Sequence, residues 1–129
     1  MNDDEVQQRL AELVALPVGW DSYHADCQPV LFPTAERARQ IIRKIGVPPD
    51  NVVPICASGP GGSWVQVEWC PDGRYVEIEI DPLGTYNYMA ADWQGPGHRR
   101  LNRVRDSLTL RRVVDAAREA LTARPEVER

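Results

Sequence analysis

Lysine is almost missing from this chain of 129 residues: Lys44 stands alone, and every other basic side chain apart from the histidines is an arginine. Missing too is any apolar run near the ~20 residues that a helix needs to cross a bilayer. The first ten residues, MNDDEVQQRL, are acidic where a secretory leader would be basic and then apolar. A cytoplasmic protein without a membrane contact is therefore expected.

Cysteine is scarce and odd in number. Cys27, Cys56 and Cys70 show no CxxC spacing, which argues against a disulfide framework and leaves the thiols as buried or idle. His24 and His98 stand at no ligand spacing and beside no serine or cysteine motif, so no metal, no cofactor and no catalytic residue is expected. The glycine-rich SGPGGS (58–63) is followed by no lysine and lacks the GxxxxGK[ST] spacing; it reads as a strand connection and not as a phosphate cradle. Positive charge is also in deficit. A net charge of −4 and a pI near 5.1 create a field that repels nucleic acid.

What is present suits one α+β domain spanning residues 1–129, with 43% hydrophobic residues to build its core. Val6, Leu10, Leu13 and Val14 recur at helical spacing, so a first helix is expected from about Asp3 to Leu16, ended by Pro17 and Gly19. Pro33 and Thr34 open a second helix with Ala35, Ala38, Ile41, Ile42 and Ile45 on one face and Gly46 after it. VVPICAS (52–58) reads as a strand that Pro54 restricts to an edge. SWVQVEW and YVEIEI alternate on either side of Asp72-Gly73, a strong hairpin signal, and TYNYMA (85–90) makes a fourth strand after the turn DPLG. Residues 92–106 read as a basic loop. Leu110, Val113, Val114, Ala117 and Leu121 mark a C-terminal helix over 107–124, capped by Ser107 or Thr109. The expected architecture is two N-terminal helices, a four-stranded antiparallel meander and a C-terminal helix.

The hairpin register follows from the turn. With Asp72 and Gly73 as the loop, Trp69 faces Val76, Glu68 faces Glu77, Val67 faces Ile78, Gln66 faces Glu79 and Val65 faces Ile80. The apolar set Val65, Val67, Trp69, Val76, Ile78 and Ile80 then shares one face, and a slip of one residue would destroy that agreement.

The opposite face carries Glu68, Glu77 and Glu79. Like charges directly opposite each other cost a few tenths to ~1 kcal/mol per pair. Three readings are open: a solvated outer face, an acidic patch for a partner, or a carboxylate cluster for acid/base or metal-dependent catalysis. A second charged feature, GHRRLNRVRDSLTLRR (97–112), holds Arg99, Arg100, Arg103 and Arg105, with Trp93 shortly before it. These arginines could neutralise the acidic face or first helix, meet a protein partner, or bind nucleic acid.

Between the first two helices lies GWDSY (19–23). Trp20 is expected to plug the core under the first helix, and Asp21 to brace a turn through backbone hydrogen bonds; Tyr23 is left open between core and surface. The segment Gly19, Trp20, Asp21, Ser22, Tyr23 and Ala25, with Gly61, Gly62, Glu68 and Trp69, then Glu77, Glu79 and Gly84, resembles an uncharacterised family of small bacterial and phage proteins. The resemblance covers about residues 13–84. It implies an accessory component of a mobile or defence-related locus and brings no catalytic residue with it; Gly19, Trp20 and Trp69 belong to its structural signature. The arginine bias fits a GC-rich genome of that kind.

The function expected is a non-enzymatic module that binds and modulates another protein, such as a toxin, nuclease or defence component. Asp21, Tyr23, Glu68, Glu77, Glu79, Trp93, Arg99, Arg100, Arg103 and Arg105 are the candidate contacts. A metal-dependent hydrolase or nuclease on the acidic face, and nucleic-acid binding through 98–112, are the alternatives.

Overall fold

In the computed structural model, residues 1–95 and 98–122 are described, with side chains described for 1–91 and 109–122. The first helix, α1 (Asp3–Val14), begins with a capping box: Asn2 Oδ1 accepts the Glu5 N–H at 2.8 Å and Glu5 Oε1 accepts the Asn2 N–H at 3.1 Å. Three acids in its first turn suit the positive end of the helix dipole. It ends two residues earlier than expected. The second helix, α2 (Phe32–Ile45), has Pro33 in its first turn and stops at Gly46, whose φ of +77° gives the left-handed cap.

Strands β1 (Asn51–Ile55), β2 (Trp64–Trp69), β3 (Arg74–Ile80), β4 (Tyr86–Gly95) and β5 (His98–Leu108) follow, then α3 (Leu110–Thr122). Thr109 Oγ1 accepts the Arg112 N–H at 3.4 Å and so serves as the cap expected for α3; residues 123 and 124 lie outside the described residues. The strands form one antiparallel sheet in the order β1-β2-β3-β4-β5. The α+β architecture is the one expected, and the β2–β3 register is the one derived from the Asp72-Gly73 turn, pair for pair. Pro54 lies on β1, an edge strand, where its missing N–H costs nothing.

One segment differs. Of residues 92–106, expected as a basic loop, 92–95 form the end of β4 and 98–106 most of β5, so the sheet has a fifth strand; residues 96 and 97 lie outside the described residues. An edge strand pairs on one side only, so an arginine-rich sequence with weak alternation is tolerated there and hides the strand from a periodicity reading. Register shifts beside Tyr88, Ala91 and Gly95 break the alternation further.

All three helices bury their stripes on one face of the sheet. Val6, Leu10 and Leu13 of α1, Ala38, Ile41 and Ile45 of α2, and Val113 and Ala117 of α3 join Val65, Val67, Trp69, Val76, Ile78 and Ile80 in a single core. Trp69 is fully buried, and its indole N–H donates to the Val47 carbonyl at 2.9 Å. Cross-layer polar bonds set the helix positions: Arg9 to the Val52 carbonyl at 2.9 Å, Arg37 to the Asp81 and Pro82 carbonyls at 2.9 and 3.0 Å, and Arg74 to the Ala120 carbonyl at 2.7 Å. Burial pushes the Tyr86 phenol up from its ordinary pKa, with the nearby Arg37 charge working the other way.

Two neighbours on β3 should respond oppositely to substitution. Ile78→Ala should cost about 2–5 kcal/mol, because it empties a fully buried site under the helices. Glu77→Gln should instead stabilise by up to ~1 kcal/mol, since it removes a like charge directly opposite Glu68 and keeps an acceptor for the Tyr75 hydroxyl. Urea unfolding of the two variants checks both signs.

Candidate functional site

Two places bring together the polar groups singled out from the sequence. The first is the sheet face turned away from the helices. Strict alternation puts Val53 and Ile55 of β1, Trp64, Gln66 and Glu68 of β2, Tyr75, Glu77 and Glu79 of β3, and Asn87 and Met89 of β4 on it, all of them half-buried. Glu68 is directly opposite Glu77, and Gln66 directly opposite Glu79. The carboxylates are held by neighbours on their own strands: Gln66 Nε2 donates to Glu68 Oε1 at 2.6 Å, and the Tyr75 hydroxyl donates to Glu77 Oε1 at 2.7 Å. The result is an acidic centre framed by Trp64, Tyr75, Val53, Ile55 and Met89. Trp64 and Tyr75 escaped the sequence reading, although the same alternation that placed the glutamates places them.

Backbone pairing sets Arg99, Arg100, Arg103 and Arg105 on β5 opposite Trp93, Asp92, Ala90 and Tyr88 of β4. The basic run and the acidic face therefore belong to one sheet. The side chains of Trp93 and these four arginines lie outside the described residues.

The second place is the junction between residues 17–30 and the connection from β1 to β2. Its backbone makes successive tight turns: the His24 N–H donates to the Asp21 carbonyl at 3.0 Å and the Cys27 N–H to the His24 carbonyl at 3.2 Å. Residues 21, 24 and 27 are thereby gathered. The Gly19 N–H closes the loop on the Cys27 carbonyl at 2.6 Å; Gly19 has a φ of +77°, and a Cβ there would stand 2.9 Å from the Ala25 carbonyl oxygen, so only glycine fits. The Gln28 carbonyl accepts two side-chain donors, the Trp20 indole N–H at 2.8 Å and the Ser63 hydroxyl at 2.6 Å. Ser63 is fully buried and also accepts the Ala57 N–H at 3.1 Å. Gly62, with a φ of +85°, lets the chain pass so close that a Cβ would meet the Pro29 carbonyl oxygen at 2.7 Å. GWDSY and GGS, far apart in sequence, are thus two halves of one joint.

Covalent chemistry reinforces it. Cys27 and Cys56 form a disulfide with Cα atoms 5.3 Å apart, whereas the odd cysteine count had argued against one. The 29-residue separation carries no spacing signal; the docking of the loop on the residue just after β1 makes the pair. Cys70 is exposed at the far end of β2. Trp20 is half-buried and braces the loop through Gln28 instead of entering the main core, and Tyr23 is 89% exposed. Asp21 does brace its turn: Oδ1 accepts the Tyr23 N–H at 2.9 Å, and Oδ2 lies 3.3 Å from His24 Nδ1. That backbone N–H holds the Asp21 carboxyl below its ordinary pKa; desolvation opposes it, and the His24 imidazole adds a lesser lowering effect.

Among the described residues, Asp21, His24, Cys27 and Cys56 are the group of metal-capable donors that converges, with one donor atom of each within 4.8 Å of the others. Glu68, Glu77 and Glu79 form no such group. The regular interval Asp21-x2-His24-x2-Cys27 was visible in the sequence, but only successive turns give it meaning. A groove of about 380 Å³ between α1 and α2 is lined by Leu10, Ala11, Val14 and Phe32, and its charged groups, Glu36 and Arg39, pair with each other at 3.1 Å. No described helix is long and apolar enough to cross a membrane.

Reduction of the disulfide in metal-free buffer should lower stability by about 2–4 kcal/mol. Ser63→Ala should cost about 1–3 kcal/mol by stranding the Ala57 N–H inside the joint. Chemical unfolding with and without a phosphine reductant measures both. No family model matches the chain, and neither a curated protein nor a solved structure matches it.

Proposed function

We propose that this chain is a small non-enzymatic interaction module of bacterial or phage origin that binds and modulates a partner protein, in the manner of an antitoxin, an immunity or anti-defence factor, or an accessory subunit of a defence system. The observation that carries the reading is the sheet face opposite the helices. A meander needs one polar face, but it does not need a tryptophan, a tyrosine and three aliphatic side chains set around paired glutamates. Aromatic anchors around a charged centre are the composition of a protein contact surface. Its acidic charge suits a basic partner, such as the nucleic-acid channel of a nuclease, and complementarity of that kind speeds association. Tyr23, exposed on the loop docked beside the end of β1, adds a further aromatic contact.

Binding is favoured over catalysis by the chemistry of the face. Its described residues include no histidine, cysteine or serine to act as base or nucleophile. Glu68 and Glu77 are each held by a neighbouring donor, and the carboxylates do not converge on a common point.

Glu68→Lys separates a binding role from a structural one. It converts the Glu68–Glu77 repulsion into an opposite-charge pair, so the thermal midpoint should hold or rise. A tagged wild-type chain should retain one host protein at constant stoichiometry, and Glu68→Lys should weaken that complex at least about tenfold. A host lysate that yields no stoichiometric protein, or a complex indifferent to Glu68→Lys, removes this reading.

A further inference from the structure

We infer that Asp21, His24, Cys27 and Cys56 form a binding site for one zinc-like divalent cation whenever the two sulfurs are not joined, so that the disulfide and the cation are alternative staples of the same joint. The four donors are two sulfurs, one imidazole nitrogen and one carboxylate oxygen, a set that suits a borderline-soft ion such as Zn²⁺. In a tetrahedral zinc site with metal–ligand bonds of about 2.0–2.3 Å, neighbouring ligand atoms lie about 3.3–3.8 Å apart. The four donor atoms here already lie within 4.8 Å of one another. Cα atoms 5.3 Å apart let the sulfurs separate by rotation about the Cα–Cβ bonds, with no backbone movement.

The joint also orients its donors before any ion arrives. Asp21 keeps one carboxylate oxygen on the Tyr23 N–H, which aims the other at His24 Nδ1. Cys27 is fully buried and its peptide is pinned on both sides, through its N–H to His24 and through its carbonyl to Gly19. His24 lies on the open side, with 63% of its side chain exposed, and supplies the entry path. An ordinary structural disulfide needs neither the aspartate nor the histidine.

The chemistry balances simply. A phosphine reduces the disulfide, giving two thiols and, with water, the phosphine oxide. Cation binding then displaces the two thiol protons to the buffer while the imidazole coordinates as the neutral ring. In a reducing compartment, where protein disulfides are rare, the cation would be the staple in use.

Cobalt(II) titration of the full chain, reduced with phosphine and then freed of excess reductant, tests the site. A Cys70→Ser background keeps the exposed third cysteine out of the measurement. One equivalent of cobalt should bind, with a thiolate-to-cobalt charge-transfer band and the intense visible bands of tetrahedral cobalt, and equimolar zinc should displace it. The oxidised chain should show neither band. His24→Ala and Asp21→Ala, both outside the core, should each weaken binding at least about tenfold. Cys56→Ser, which leaves Cys27 as the one thiolate of the group, should lower the charge-transfer band at least about twofold, and far-ultraviolet circular dichroism shows whether that variant is folded. Absence of the bands in the folded, reduced chain overturns the inference, and so does an affinity left unchanged by either His24→Ala or Asp21→Ala.

Discussion

Six side chains of one hairpin, Val65, Val67, Trp69, Val76, Ile78 and Ile80, leave water together, and a pairing slipped by one residue would turn one strand's three to the other face. That burial obliges Gln66, Glu68, Glu77 and Glu79 to share the other face, including the unfavourable meeting of Glu68 with Glu77. It also decides where the helices go, because α1, α2 and α3 have their own apolar stripes to bury and find a ready surface on one side only. The acidic face is thus a consequence of the core.

The loop between α1 and α2 obeys a different logic. Val30 enters the main core and Leu16 packs against it, and hydrogen bonds and a covalent link position the stretch between them. The Gln28 carbonyl gathers the Trp20 indole and the Ser63 hydroxyl, two glycines permit contacts that a Cβ would forbid, and Cys27 is bonded to Cys56. A joint of this kind is stiff where its donors are satisfied and sensitive to the loss of any one of them. It ties the start of α2 to the end of β1, and so holds the helical layer in place over the sheet. Its open rim carries Tyr23 and His24 to solvent, beside the same strand whose outer residues, Val53 and Ile55, border the acidic face.

Much of this could be read from the sequence, and the reasons differ from one element to the next. The hairpin was legible because a two-residue turn and strict alternation each specify the register independently. Both N-terminal helices were legible from their stripes and stops. Strand β5 was not: as an arginine-rich edge strand interrupted by register shifts, it lacks the alternation that a half-buried strand displays. Trp20, expected as a plug under the first helix from its place after the helix stop, instead donates its indole N–H to a carbonyl of its own loop, a contact that no periodicity announces.

By itself, then, the sequence determined the fold class, the register of β2 against β3, and the location of Glu68, Glu77 and Glu79 on a common face, because each depends on neighbours within a few residues or across one turn. Tertiary structure alone decided that Cys27 meets Cys56, that Ser63 and Trp20 share the Gln28 carbonyl, and that Asp21 and His24 stand beside the two sulfurs. Those contacts join segments about 30 residues apart whose approach is set by packing elsewhere in the molecule. Periodicity reports which face of an element is apolar; it carries no information about which loops are brought together when those faces are buried.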